Sequence, residues 1–153
     1  MISIKEIKPH GINFRYQKQV AIKQRTLLKQ MISYIIAAEK KKYASIDVVF
    51  CSDDYLLDIN NANLGHNYYT DTITFNLAPN TKGPIIGEIY ISTDRISDNA
   101  RVFNVTKANE LCRVVFHSVL HLCDYTDNTT QRRNNMRLKE DYYLGLFGSI
   151  CST

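Results

Sequence analysis

Hydrophobic positions recur along this chain with two different periods, and the changes of period mark out its elements. Between Val20 and Lys42 the apolar residues Leu27, Leu28, Met31, Ile32, Ile35 and Ile36 fall at helical spacing. That pattern predicts one long amphipathic helix. Its end in Lys40, Lys41 and Lys42 suits the negative pole of a helix C-terminus. Residues 2–7 alternate apolar with polar and predict a first strand, with an extension around Ile12–Tyr16. Ile46–Cys51, Asp71–Leu77 and Ile85–Ser92 predict three more strands, the last two joined by the Pro- and Gly-containing turn 78–84. Ser52 with Asp53 caps a short helix reaching about Asn61, Thr93 opens another to about Phe103, and Thr106 caps a third to about Cys123. Thr129 or Thr130 opens a final helix to about Leu146, and residues 148–153 are expected to fray. The order β-α-β-α-β-β-α-α-α predicts an α+β fold: one domain over residues 1–153, a small mixed sheet of about four strands, and about five helices.

Composition narrows the class. The chain has 153 residues, 44% hydrophobic and 22% charged, ordinary for one globular domain. It has no run of eighteen apolar residues to span a membrane and no apolar signal-peptide core after Met1. Cys51, Cys112, Cys123 and Cys151 are scattered without C-x-x-C spacing. They read as small buried hydrophobes in a reducing compartment, so the expected location is the cytoplasm. Charge is uneven. Residues 1–42 carry ten Lys or Arg against two Glu, a net +8, whereas residues 43–153 carry nine against thirteen acidic residues, a net −4. A basic segment is either a solvated helix face or a docking surface for a phosphate-bearing partner.

The most specific chemistry lies in Phe116-His117-Ser118-Val119-Leu120-His121-Leu122-Cys123-Asp124-Tyr125-Thr126-Asp127. His117 and His121 are four residues apart, which on a helix puts both imidazoles on one face a turn apart. On a helical wheel they fall beside Glu110, Arg113 and Val114, at the border of the stripe made by Leu111, Cys112, Val115, Phe116, Val119, Leu122 and Cys123. Two His and a returning carboxylate form the three-ligand set of a catalytic zinc site with an open position. Asp124 is only three residues past His121 and suits the left-handed residue that ends the helix. Asp127 is therefore the third ligand, and one divalent ion per chain, Zn2+ first, is expected. A carboxylate among the ligands hardens the site and lowers its preference for zinc over manganese. Ser118 occupies the place of the glutamate in H-E-x-x-H, which disfavours a peptidase of that type. Asp71, Glu88 and Glu110 are the remaining candidates for a general base.

These residues resemble the YbeY family of metal-dependent endoribonucleases, whose pattern is H-G-x-L-H-L-x-G-Y-D-H. His117, Leu120, His121, Leu122 and Tyr125 match it. Ser118 and Asp124 replace glycines, Thr126 replaces aspartate, and Asp127 stands at the third histidine. Thr70-Asp71-Thr72-Ile73-Thr74-Phe75 is similar to the family's T-D-V-L-S-F strand, and Gly87-Glu88-Ile89-Tyr90-Ile91-Ser92 to its L-G-D-I-x-I-S strand. The family's arginine before the T-D strand is missing. No arginine occurs between Arg25 and Arg95, and Leu64 lies near its place. The resemblance implies single-strand cleavage in small-subunit ribosomal RNA 3′-end maturation and ribosome quality control. Precursor ribosomal RNA is the implied partner, with small-subunit ribosomal proteins beside it. Catalysis is expected at His117 with Asp71 and Glu88. RNA contacts are expected at Lys40, Lys41, Lys42, Lys82 and Arg113. Two other readings stay open: a metal-dependent hydrolase of another substrate, and a non-catalytic assembly factor with a structural metal.

Overall fold

A computed structural model describes residues 3–152 of the chain. The sheet is built from β1 (Ile12–Tyr16), β2 (Tyr43–Cys51), β3 (Thr72–Asn76) and β4 (Ile85–Ser92), in the order β1-β2-β4-β3. β1, β2 and β4 run parallel, and β3 lies antiparallel on the edge. The helices are α1 (Arg25–Ala38), α2 (Asp53–Leu64), α3 (Thr93–Phe103), α4 (Lys107–Leu122) and α5 (Thr130–Cys151). The expected α+β class, with four strands and five helices in one domain, is what the chain adopts.

Strand parity divides the sheet into two unlike faces. Ile12, Ile46, Val48, Phe50, Ile89 and Ile91 are buried in the main core with Leu28, Met31, Ile32, Val115, Phe116 and Val119 of α1 and α4. The other face carries a small cluster of Cys51, Leu56 and Ile73, flanked by Ile59, Phe75 and Tyr90. α4 is central: it packs against α1, α3, α5, β3 and β4. Gly87 lets it come close, since a Cβ there would lie 2.8 Å from a Leu122 methyl and 2.9 Å from one of Ile46. A side chain at 87 forces the Leu122 and Ile46 methyls to move.

α1 and α4 end in the same way. In α1, Lys40 takes a left-handed φ of 64°, and the Lys41 N–H reaches back to the Ile36 carbonyl at 2.9 Å. In α4, Asp124 takes φ 75°, and the Tyr125 N–H reaches the Leu120 carbonyl at 3.0 Å. These are Schellman turns with a non-glycine residue in the left-handed position. The expected role of Asp124 is thus the one it plays, and its carboxylate also accepts from Lys41 Nζ at 2.7 Å.

Three boundaries differ from the pattern-based expectation. Within residues 2–7, Ile4–Glu6 forms a 3-10 turn, and the Ser3 N–H donates to the Glu6 carboxylate at 3.2 Å. The local S-x-x-E capping signal overrides the alternation, and the first strand begins only after Gly11, whose φ is 82°. The long helix is shorter than Val20–Lys42 at both ends. At the other terminus α5 continues through Cys151, with Ile150 and Cys151 packed on the core. Residues 148–151 are thus helical where fraying is expected, and Thr153 lies outside the described residues.

Candidate metal centre

Thr106 caps α4 by accepting from the Asn109 N–H at 3.0 Å, and the helix then carries both histidines into a groove between β3 and α5. Each ring is held through Nδ1. His117 Nδ1 lies 2.7 Å from Oε2 of Glu140, and His121 Nδ1 lies 2.9 Å from the Tyr125 carbonyl. Carbonyls and carboxylates only accept, so each ring carries a proton on Nδ1, and in the neutral form that binds a metal its Nε2 turns a lone pair into the groove. The two Nε2 atoms are 3.0 Å apart, and Asp127 Oδ2 lies 3.5 Å from one and 3.6 Å from the other. Three lone-pair donors this close repel unless something positive sits among them. Bonds of about 2.0–2.2 Å to a tetrahedral zinc would put its ligands about 3.3–3.6 Å apart: the two His–Asp edges match that spacing and the His–His edge is about 0.3 Å shorter. Among the described residues this is the one group of three His, Cys, Asp or Glu close enough to share a metal ion.

The surroundings prepare the two imidazoles differently. Burial opposes protonation of His117, yet the hydrogen bond and charge of Glu140, with Asp71 and Asp127 adding, raise its pKa above the ordinary value. Burial and then the neighbouring His117 lower that of His121, against the pull of Asp127. Glu140 belongs to α5 and its side chain is 6% exposed. It also accepts from Arg113 Nη1 at 3.0 Å, while Arg113 Nη2 donates to Asp141 at 2.7 Å. A carboxylate behind a ligating imidazole fixes its orientation and raises its basicity.

The groove has two lobes that meet at Asp71, His117 and Asp127. The larger, about 490 Å³, is walled by Asn99, Phe103, Glu110, Arg113, Arg133 and Arg137. The smaller, about 320 Å³, is walled by Asn60, Leu64, His66, Tyr68 and Thr70. Glu110 is 3% exposed, and burial raises its pKa against the hydrogen bond from Asn99 and the charge of Arg113. Ser118 is buried under the histidines. It donates to the Val114 carbonyl at 2.7 Å, so its oxygen is the acceptor for the Thr72 hydroxyl, also at 2.7 Å. The serine in the glycine position thus ties α4 to β3 beside Asp71.

The expected site residues separate into two groups. His117, His121, Asp127, Asp71 and Arg113 come together around the groove. Glu88 does not. It pairs with Phe75 on the face opposite α4 and accepts from the Tyr90 hydroxyl at 2.7 Å, because Gly87 and Ile89 take the positions facing α4. Lys82 sits in the β3–β4 turn, at the end of the hairpin away from Asp71. Lys40, Lys41 and Lys42 line neither lobe, and Lys41 is tied to Asp124. Glu140, Arg133 and Arg137 went unnoticed in the sequence. Their only early signal is the spacing of four residues and then three along the last helix, which puts all three on one face.

A small α+β domain in which two imidazoles and a carboxylate converge in an open groove belongs with proteins that could hold one metal ion there. The comparisons give the family. The Endoribonuclease YbeY family matches residues 12–148, and the chain belongs to it. It is 42% identical to an Endoribonuclease YbeY of Cytophaga hutchinsonii, over 87% of this chain and 92% of that one. It is 45% identical to an Endoribonuclease YbeY of Chlorobaculum tepidum, over 78% and 85%. A solution structure of a Thermotoga maritima protein superposes with a TM-score of 0.66 at 28% identity, covering 92% of each chain.

Proposed function

We propose that this chain is a zinc-dependent endoribonuclease that cuts single-stranded RNA in the cytoplasm, in the 3′-end maturation of small-subunit ribosomal RNA and in ribosome quality control. The observation that carries it is the triangle of lone pairs at the junction of two open lobes. The relatives named Endoribonuclease YbeY support the choice of RNA as substrate. Precursor ribosomal RNA is the partner, with small-subunit ribosomal proteins presenting it.

His117, His121 and Asp127 would hold the ion. What a divalent ion supplies when bound there is Lewis acidity toward a water or a phosphoryl oxygen. The remaining work falls to the chain. Glu140 and the Tyr125 carbonyl keep both Nε2 lone pairs aimed at one point. Asp71 lines both lobes, which supports the reading of its carboxylate as the base that takes a proton from an attacking water. Openness on either side of the triangle admits a strand that continues past the cut, as an endonuclease requires.

The test compares wild type with His117→Ala, purified identically, on a precursor RNA, with metal content measured on both. Wild type should hold one zinc per chain and cut, and the variant should lose both properties while staying folded. Equal cleavage by the two would expose a contaminating nuclease. RNA binding without cleavage by wild type would turn the reading toward an assembly factor with a structural metal.

A further inference from the structure

The chain has no arginine between Arg25 and Arg95, so no guanidinium reaches the groove from the segment before β3. Leu64, half exposed, lines the smaller lobe instead. The larger lobe is where cationic side chains gather, and its three arginines are not equivalent. Arg113 is 18% exposed, and both its terminal nitrogens are held by carboxylates, those of Glu140 and Asp141. Its charge is balanced by those two carboxylates, and it braces the site.

Arg133 and Arg137 are different. They lie four residues apart on α5, on one face. Arg133 donates to the Asp127 carbonyl at 3.3 Å and to the Thr130 hydroxyl at 3.2 Å. Both partners are neutral, and among the described residues no carboxylate pairs with it. Arg137 is 57% exposed and reaches only Oε1 of Glu140, at 3.7 Å. That oxygen already accepts from Arg113 at 3.0 Å. The lobe also holds four carboxylates: Asp71, Asp127 at the triangle, Glu140 with His117 and Arg113, and Glu110 with Asn99 and within the field of Arg113 and Arg137. Arg133, with no carboxylate partner among the described residues, and Arg137, with only a long pairing shared with Arg113, thus stem from α5 positions about 6 Å apart along the helix and line a lobe that leads to the triangle. Phe103, 55% exposed, stands in the same lobe and offers a π-face against which a base can stack.

We infer that Arg133 and Arg137 are the phosphate grip of this chain: they hold two backbone phosphates of a single-stranded RNA in the larger lobe, beside the bond to be cut, with a base against Phe103. This rests on the endoribonuclease reading for the substrate, but binding can be measured without cleavage. The probe is a short 2′-O-methyl phosphorothioate oligoribonucleotide, which lacks the 2′-hydroxyl nucleophile and whose backbone resists hydrolysis, titrated into zinc-loaded protein over a series of salt concentrations. Replacing both arginines (Arg133→Gln with Arg137→Gln) should weaken binding about tenfold and lower the log–log salt slope by about 1.4, two phosphates at about 0.7 each. The pair Arg133→Lys with Arg137→Lys should restore the slope, and zinc content should stay at one per chain in all three proteins. A wild-type slope in the Gln pair, or a slope lost equally in the Lys pair, overturns the assignment. A wild type that binds with an arginine-dependent slope yet never cuts precursor RNA sinks the nuclease reading and leaves the grip standing. Cleavage with an arginine-independent slope does the reverse.

Discussion

Two buried carboxylates meet α5, and they are nearly matched in burial and in the number of donors around them. Glu39, at the end of α1, is 10% exposed in its side chain; it accepts from Tyr125 at 2.7 Å, from Lys139 at 3.2 Å, and from Tyr143. Glu140 is 6% exposed and accepts from Arg113 and His117. Burial pushes the Glu39 pKa up, but the hydrogen bonds from Tyr143, Tyr125 and Lys139 outweigh it and leave it below the ordinary value of 4.5. The first network closes on itself: three donors end on one acceptor in the packing between α1 and α5. The second passes through an imidazole and emerges on the far side as an Nε2 lone pair aimed at Asp127. A buried charged cluster is therefore not evidence of function in itself. What marks the site is the donor capacity left over and the groove it faces.

Substitution at the two carboxylates should separate these roles. Glu140→Gln is expected to have the largest effect on the site. It leaves an acceptor for His117 but removes the charge that makes the imidazole a stronger donor, and zinc affinity should fall about 10–100-fold. Competition with a chelator of known affinity reads this, and an unchanged affinity would mean that Glu140 serves only Arg113.

Glu39→Gln should leave zinc affinity where it is and cost about 1–3 kcal/mol of stability, read from urea midpoints. The cost has a definite pH dependence. The folded pKa lies below the unfolded one, so the carboxylate stabilises the fold above the unfolded value and loses that contribution as pH falls through the folded value. The gap between wild type and Glu39→Gln should therefore close in acid. A gap that widened as pH fell would contradict the donor network.

The smallest effect comes from the residue that touches both clusters. The Tyr125 hydroxyl donates to Glu39, while its backbone carbonyl orients His121. Tyr125→Phe removes only the first, so it should cost about 0.5–1.5 kcal/mol with zinc affinity unchanged. Weaker zinc binding in this variant would show that the two networks are coupled through the turn.

Much of the site was legible in the chain because it is local. Four-residue spacing on one helix brings His117 beside His121 whatever surrounds them. The side chains of Ser52, Thr106 and Thr129 accept from the backbone N–H three residues on, and such capping needs no tertiary partner. The left-handed Asp124 follows from where the apolar stripe must stop, and it returns Asp127 to the histidines. These are interactions between residues a few positions apart, so pattern and spacing determine them.

Tertiary packing decided the rest. Strand parity puts Glu88 and Gly87 on opposite faces, but only the position of α4 makes one of those faces the site. Glu140 lies twenty-three residues from His117, and only the packing of α5 on α4 makes it the partner of that imidazole. The lysines at 40–42 are the strongest charge run in the sequence, yet the fold puts them at an α1 turn outside the groove. Arg133 and Arg137, unremarkable in sequence, are carried into it. Local backbone chemistry sets which residues share a helix face; long-range burial of apolar stripes sets which face meets which, and therefore which charges face the substrate.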